Sequence, residues 1–423
     1  MNRVAKAAVC VCVAVRASAA AAGEAGGGDG SSFASGLLSV ARAMAFLHAR
    51  AWPGPSWRQL SEGAMRGMAQ SVDDWSDWLA PEEEAAEAEA QEGRRVGAGL
   101  RLRAEGDSLF VVNPVPGSPA AAAGAKIGDE ILAVGEDEVR DVGPDAAIDL
   151  LDGDPGSVAE IRVRRADGSV ETLSVRLAGY DSPTVSGACL VAPGIGYAAI
   201  EEFGDGTAAE LRGALSALGA AELDGLVLDL RDNPGGVVEE AVSAAALFLP
   251  RGATVLRTSG RVRRDDDREY RAEAEPPYPR LPLAILADGC TASAAEIFCG
   301  ALREAGRAFL VGSRTFGKGV VQDVFDAPGR PGSAFKLTVA SCITPGGDAF
   351  HGRGFEPDVP VRQTDAAFFD SLALRMARSN PELVFSAADR ARLLAVPDAP
   401  LEAALERLRS GAAPDPASGE TGK

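Results

Sequence analysis

Three hydrophobic periodicities divide the chain. From residue 33, Phe33, Leu37, Val40, Met44 and Leu47 recur three or four positions apart, the spacing of one apolar helix face. Pro53 and Pro55 break that pattern, and Trp57, Leu60, Ala64 and Met68 begin a second helical one. From residue 96 the runs shorten and alternate, punctuated by Gly and Pro, in VGAGLRLRAEGDSLFVVNPVPGSPAAAAGAKIGDEILAVGEDEV. That pattern predicts a small β-rich module with a helix start at Ser118-Pro119 and a second helix over 145–151. From residue 194 onward, apolar runs of strand length (GIGYAAIEEF, 225–230, 283–286, 308–312 and 334–340) are separated by helical segments at 207–218, 237–247 and 293–304. Strand, helix and strand at these spacings predict crossover units in a mainly parallel sheet.

Composition narrows the class. The 423 residues suffice for two or three domains, and 46% hydrophobic with 24% charged residues is ordinary for globular chains. A net charge of −19 argues against nucleic acid as a partner, because no basic stripe is there to displace counterions from phosphates. Arg3 and Lys6, an apolar run over 7–15 and then small residues lay out residues 1–22 as a short secretory signal peptide, although Arg16 interrupts it early. GEAGGGDGSS, 23–32, is of linker composition, and the acidic, Ala-rich run 82–92 is expected as a solvated helix. The expected location is therefore outside the cytoplasm, periplasmic or membrane-associated, with no integral membrane span beyond the leader. Residues 261–280, charged and Pro-rich, are expected as an exposed hairpin or loop.

The candidate chemistry lies in 283–325. Ser293 stands where a strand hands over to a helix, beside the unpaired amides of a first helical turn, which can stabilise an oxyanion. Lys318 stands between Gly317 and Gly319 in a chain with only five lysines, Lys6, Lys126, Lys318, Lys336 and Lys423. Neither of the two histidines, His48 and His351, lies in a recognisable catalytic setting, whereas a desolvated lysine can lose its charge and take a serine proton. Cys290, three residues before Ser293, is the other nucleophile to weigh. Burial as small hydrophobes is expected for it and for Cys189, Cys299 and Cys342, whose spacing matches no metal motif. A second small-residue turn, Arg231-Asp232-Asn233-Pro234-Gly235-Gly236, follows an apolar strand, and its paired glycines let main-chain amides approach a ligand. On these residues alone, a capped helix, a surface lysine and a Gly-rich connector are equal alternatives.

The motifs in series carry a resemblance. Ala292-Ser293-Ala294-Ala295-Glu296 and Thr315-Phe316-Gly317-Lys318-Gly319 with Val321-Gln322 resemble the catalytic core of the C-terminal processing (tail-specific) peptidases. Gly194-Ile195-Gly196-Tyr197 with Phe203, the Arg231 to Gly236 turn, Thr344-Pro345-Gly346-Gly347 and Gly354-Phe355-Glu356-Pro357-Asp358-Val359 match further family signatures in order, so the resemblance spans about 57–372. It implies an α/β, Clp-protease/crotonase-like peptidase core over 190–372 with an inserted PDZ domain over 96–177. An N-terminal helical segment over 33–92 and C-terminal helices with a disordered tail over 373–423 complete the expected layout.

By the same resemblance Ser293 is the nucleophile, Lys318 its base, and Gln322 the group that orients the lysine. The amide of Gly235 or Gly236, together with that of Ala294, would form the oxyanion hole. Val96-Gly97-Ala98-Gly99-Leu100 matches the loop that holds a peptide carboxylate, which implies protein substrates with apolar C-termini. Two places depart from the family. Asp152-Gly153 stands where an arginine linked to PDZ coupling is usual, and Val72-Asp73-Asp74-Trp75-Ser76 lacks the Pro and His of the family turn. Glu304 is expected as structural, paired with Arg307, and His351 as incidental.

The expected function is a serine endopeptidase cleaving near protein C-termini, without metal or nucleotide. A homodimer or higher oligomer stays open. The alternatives are an inert PDZ scaffold and a crotonase-like acyl-CoA enzyme, neither of which needs Ser293, Lys318 and Gln322 together.

Overall fold

A computed structural model describes residues 30–85, 94–151, 153–165, 167–181, 183–262, 267–362, 374 and 396–411. The expected signal peptide, most of the expected linker, much of the acidic run, Asp152 and most of 373–423 lie outside the described residues. The chain divides into two compact units, one of Met1–Glu84 with Gln322–Thr338, the other of Ala85–Val321 with Val339–Lys423.

In the smaller unit, helix α1 (Gly30–Arg50) begins inside the stretch expected to be linker, and its apolar stripe, Phe33, Leu37, Val40 and Leu47, is exposed. Helix α2 (Trp57–Gln70) starts at Ser56, whose side chain accepts from the Gln59 amide while the Gln59 side chain accepts from the Ser56 amide. This reciprocal cap explains why the helix restarts directly after the prolines. Strand β1 (Asp77–Leu79) pairs antiparallel with 334–336, and Trp78 is buried with Ala69 and Ala327 against Met65, Phe335 and Leu337.

The larger unit opens with the β-rich module. Strand β2 (Arg94–Gly97) is followed by β3 (Leu100–Glu105), β4 (Ser108–Pro114), α3 (Pro119–Ala122), β5 (Glu130–Val134) and β6 (Asp137–Glu138). Then come α4 (Val139–Val142), α5 (Pro144–Asp149), β7 (Val158–Arg164), β8 (Val170–Arg176) and β9 (Ala178–Asp181). The sheet runs β3-β4-β5-β7-β8, which leaves β3 at an edge, and Leu109, Val111, Ile131, Ile161, Val163 and Val175 fill its core.

The larger core sheet follows. Strand β10 (Val185–Ala192) pairs antiparallel with β11 (Ile195–Ile200). Then β11, β12 (Gly225–Asp229), β15 (Leu283–Ala287), β16 (Ala308–Gly312) and β19 (Val359–Pro360) lie side by side and parallel. Helices α6 (Thr207–Ala217), α7 (Val238–Ala245) and α8 (Ala294–Glu304) make the crossovers and supply the packing on one face, where Leu226, Leu228, Ile285 and Leu310 point. The other face, with Tyr197, Val227, Leu286 and Phe309, is covered by Leu401, Ala404 and Leu408 of α9 (Ala399–Arg409). Strands β12, β15 and β16 are buried at every position, as a parallel sheet covered on both faces requires.

Strands β13 (Thr254–Gly260) and β14 (Glu269–Arg271) pair antiparallel, and 340–343 pair with β13. The stretch 261–280, expected as an exposed hairpin or loop, supplies only β14 of this pair, and its Ala272 and Tyr278 are buried. Strands β17 (Val320–Asp326) and β18 (Ala334–Ile343) contribute residues to both units. The loops that leave the carboxyl ends of β12, β15 and β16 carry the Gly235-Gly236 turn, Ser293 and Lys318, the end of a parallel sheet at which ligands characteristically sit.

Candidate active site

The turn after β15 is built by its own polar residues. Asp288 Oδ1 accepts from the Cys290 and Thr291 amides at 2.9 and 3.1 Å and from the Asp232 amide of the neighbouring turn at 3.1 Å. The Thr291 hydroxyl donates to the Leu230 carbonyl at 2.8 Å, and the Ala292 amide donates to the Asn233 carbonyl at 2.9 Å. The turns after β12 and β15 are thus laced together before the chain reaches Ser293. Ser293 has φ 55° and ψ −119°, and α8 begins with the next residue. Only Ser293 and Asp232 among the described non-glycine residues have positive φ. A serine held in a sparsely populated backbone region at a strand-to-helix turn is the geometry that exposes a nucleophile above a sheet.

Glu296, fully buried, ties this turn to the lysine loop. Its Oε1 accepts from the Thr315 hydroxyl at 2.5 Å and the Gly317 amide at 2.8 Å. Its Oε2 accepts from the Lys318 amide at 2.8 Å and the Ser293 amide at 3.0 Å. One oxygen therefore holds the serine and lysine backbones no more than about 5.8 Å apart, the two bonds end to end. Burial pushes the Glu296 carboxyl above its ordinary range, and the four donors from Thr315, Gly317, Lys318 and Ser293 oppose that shift.

The glycines around Lys318 permit close packing. A Cβ on Gly317 would stand 2.8 Å from the Gly354 amide nitrogen, and one on Gly319 2.7 Å from that of His351. His351, expected to be incidental, accepts from the Gly319 amide through Nδ1 at 3.3 Å and so steadies the loop. Lys318 itself is half-buried. The structure joins Ser293 and Lys318 through their backbone amides, which share Glu296 Oε2. Catalytic contacts in unliganded sites commonly tighten only when substrate is bound.

The turn after β12 brings its glycines to the same place. A Cβ on Gly235 would lie 2.7 Å from Ser293 Cβ and 2.8 Å from the Ala294 nitrogen, and one on Gly236 2.2 Å from the Phe203 carbonyl oxygen. The Gly235 amide donates to Asn233 Oδ1 at 2.9 Å. Among the described residues the amides of Gly236 and Ala294 have no hydrogen-bond partner, so of the two glycines considered, Gly236 has the free donor. Asn233, buried, also donates through Nδ2 to the Ile200 carbonyl at 2.8 Å.

Beneath the turn Arg231 is buried between two carboxylates. It reaches Asp229 at 2.6 Å and Asp398, the cap of α9, at 2.9 and 3.1 Å, while the Tyr197 hydroxyl donates to Asp229 at 2.7 Å.

Cys290 is half-buried rather than buried, as is Cys189, whereas Cys299 and Cys342 are buried, and all four are free thiols. Burial, with Asp288 and Asp232 nearby, pushes the Cys290 thiol up to about 11, so it is no thiolate near neutral pH. Glu304 does not pair with Arg307. It accepts from the Gly346 amide at 2.7 Å, and Arg307 donates to the carbonyls of Phe248, Tyr278 and Leu281 instead. Gln322 falls in the smaller unit, where its side-chain amide donates to the Trp75 carbonyl.

Glu296, Asn233, Asp288 and Asp398 are the residues that inspection of the chain missed. Glu296 stood inside a quoted motif, yet its partners lie up to 22 positions from it, and Asp398 is 167 positions from Arg231. No local spacing encodes such pairs.

In the β-rich module the 96–100 loop turns its carbonyls inward. The Ala98 carbonyl accepts from the Ala120 amide at 2.8 Å, and that of Gly99 from the Val115 amide at 2.9 Å and the Ser118 hydroxyl at 3.0 Å. The amides of Ala98 and Gly99 have no partner among the described residues. A Cβ on Gly99 would lie 2.2 Å from Ser118 Cβ, which keeps that position a glycine. Among the described residues no helix is long and apolar enough to cross a membrane, and no group of three His, Cys, Asp or Glu is placed to hold a metal ion.

A parallel sheet presenting a strained serine beside two unclaimed amides, with a β-rich module ahead of it, defines the architecture of a PDZ-containing serine peptidase. Sequence comparison agrees: residues 194–361 match peptidase family S41 and residues 110–165 match the PDZ domain. The carboxy-terminal-processing protease of Bartonella bacilliformis is 31% identical over 313 residues, covering 73% of this chain and 71% of the relative. Carboxy-terminal processing protease CtpA of Bacillus subtilis is 32% identical over 310 residues, covering 73% of this chain and 65% of the relative. The chain thus spans about two thirds of the length of these relatives. Among solved structures, the photosystem II D1 C-terminal processing protease superposes with a TM-score of 0.54 at 27% identity, covering 84% of this chain and 97% of its own. The chain belongs to the carboxy-terminal processing proteases of peptidase family S41.

Proposed function

We propose that the protein is a serine endopeptidase that cleaves polypeptides near their C-termini by a Ser293-Lys318 dyad. The observation that supports this is the sharing of Glu296 Oε2 by the Ser293 and Lys318 amides, which keeps the two backbones close. In the occupied site the lysine amine meets the serine hydroxyl. Lys318, uncharged at that moment, takes the hydroxyl proton as Ser293 Oγ attacks the scissile carbonyl. The amides of Gly236 and Ala294 receive the oxyanion, a contribution of about 3 kcal/mol per donor in comparable sites. Lys318 then returns the proton to the leaving amine, and water releases the acyl group by the same route.

The module at 96–177 acts as the tail receptor. The amides of Ala98 and Gly99, which have no partner among the described residues, suit a terminal carboxylate, and the edge position of β3 suits an added peptide strand. Apolar C-termini are the favoured tails, and an exported enzyme working on protein tails outside the cytoplasm fits the leader-like residues 1–22.

The test is cleavage of a disordered protein ending in an apolar tail, with the cuts mapped by mass. Ser293→Ala and Lys318→Ala should each abolish turnover, and a fluorophosphonate probe should label the unsubstituted protein at Ser293 only. Turnover in either variant overturns the dyad. Tail binding without labelling or cleavage identifies an inert scaffold instead.

A further inference from the structure

Helix α1 holds most of an apolar face in water. Phe33, Leu37, Val40 and Leu47 stand on one stripe and are exposed, and of that stripe only Met44 is half-buried. Ser35, Ser39, Arg42 and Arg50 lie round the other side, where the Ser39 hydroxyl donates to the Ser35 carbonyl at 2.9 Å. Two tryptophans follow at the carboxyl end. His48 stacks on Trp57 with ring centroids 4.4 Å apart and donates through Nδ1 to the Pro55 carbonyl at 2.8 Å, which folds 51–57 back against α1. Trp52, inside that turn, is 97% exposed. Apolar surface gathered in this way marks a place of interaction.

The length and charge of the segment say what covers this face. At 21 residues α1 is long enough, about 31 Å at about 1.5 Å per residue, to cross a bilayer. No described helix is also apolar enough to do so, and an amphipathic helix of this kind lies in the plane of a surface instead. The chain carries 61 acidic residues and a net charge of −19, yet residues 30–61 contain none. Arg42 and Arg50 have no ion-pair partner among the described residues, whereas Arg58 is paired with Glu62. Two copies of α1 laid together would bring arginine to arginine, with no carboxylate inside the segment to relieve them. An anionic lipid surface, apolar beneath its phosphates, complements both the stripe and the arginines.

We propose that α1 docks the protein on an anionic membrane surface. The helix lies among the headgroups with Phe33, Leu37, Val40 and Leu47 toward the acyl chains, while Arg42 and Arg50 reach lipid phosphates. Trp52 sits at the boundary between them, where an indole finds both an apolar and a polar neighbour. The acidity of the whole chain does not cancel this attraction, because charges more than about 8 Å from the surface are largely screened at physiological salt. The docking surface is independent of the peptidase chemistry, and its test reads no cleavage.

The experiment floats the full chain with vesicles of phosphatidylcholine, with and without phosphatidylglycerol, and follows tryptophan quenching by lipids brominated on their acyl chains. The unsubstituted protein should float with the phosphatidylglycerol vesicles and be quenched there, and Trp52→Phe should lose most of the quenching. Arg42→Gln with Arg50→Gln should weaken binding about 25-fold, near fivefold for each arginine. Val40→Asp with Leu47→Asp should abolish it. All four positions are exposed, and thermal unfolding checks that both variants fold. Equal binding to phosphatidylcholine alone overturns the anionic surface, and binding that survives Val40→Asp with Leu47→Asp overturns the role of α1. Absence of vesicle binding, with light scattering showing a dimer that those two substitutions dissociate, overturns the proposal and gives the face to a second copy of the chain.

Discussion

The backbone amides of Ser293 and Lys318 end on the same atom, Oε2 of Glu296, at 3.0 and 2.8 Å. A carboxylate serves here because all four of its neighbours are donors, two at each oxygen. The residues that would exchange a proton are thus set by one that would exchange none.

Glu296→Gln should therefore be costly in spite of its matched shape. The amide group would point its own hydrogens at two donors, and charge-assisted bonds of about 1.5–3 kcal/mol would be lost. The expected outcome is a stability loss of about 2–4 kcal/mol in denaturant unfolding. At temperatures where the variant is still folded, kcat should fall more than KM rises.

Gly235→Ala and Gly236→Ala should each remove activity. Both glycines have positive φ, 101° and 131°, and an added Cβ would meet Ser293 Cβ or the Phe203 carbonyl oxygen well inside contact distance. Gly213 is the control: it lies within α6, and nothing stands within 4 Å of its Cβ position. Gly213→Ala should stabilise by about 0.5–1 kcal/mol and leave kcat/KM unchanged. Thermal unfolding alongside peptide cleavage separates the two cases.

Cys290 should behave as a bystander. With its thiol pushed up to about 11, the reactive thiolate is scarce at pH 7 and increases tenfold per pH unit until that value is approached. Iodoacetamide labelling followed by mass spectrometry should be slow at pH 7 and climb steeply from pH 9 to pH 11. Cys290→Ala should keep its turnover.

Asp398→Ala should unfold the protein more readily by about 3–5 kcal/mol, because it leaves Arg231 buried with one of its two carboxylate partners gone. Chemical denaturation reads the loss directly. The variant's remaining folded fraction should show a lower kcat, since Arg231 immediately precedes the Asp232 to Gly236 turn.

Much of this molecule was legible in the chain. The runs at 225–230, 283–286 and 308–312 are apolar at nearly every position because both faces of a parallel sheet are covered, and they became β12, β15 and β16 within a residue or so. Ser293, Lys318 and the glycine pairs were visible as small-residue motifs because close backbone approach restricts what can stand there. Glu296 was legible as a letter in a motif but not as the bond between two loops. Which glycine amide stays free depended on Asn233 taking the other one. The exposed apolar face of α1 and the Asp398 to Arg231 contact belong to the same category.

Local sequence determined the elements and the chemical groups this protein has to work with, since periodicity, capping and steric permission act over a few residues. Tertiary structure alone decided which of those groups meet, because a buried carboxylate or guanidinium takes its partners from wherever folding brings donors and acceptors, at any distance along the chain.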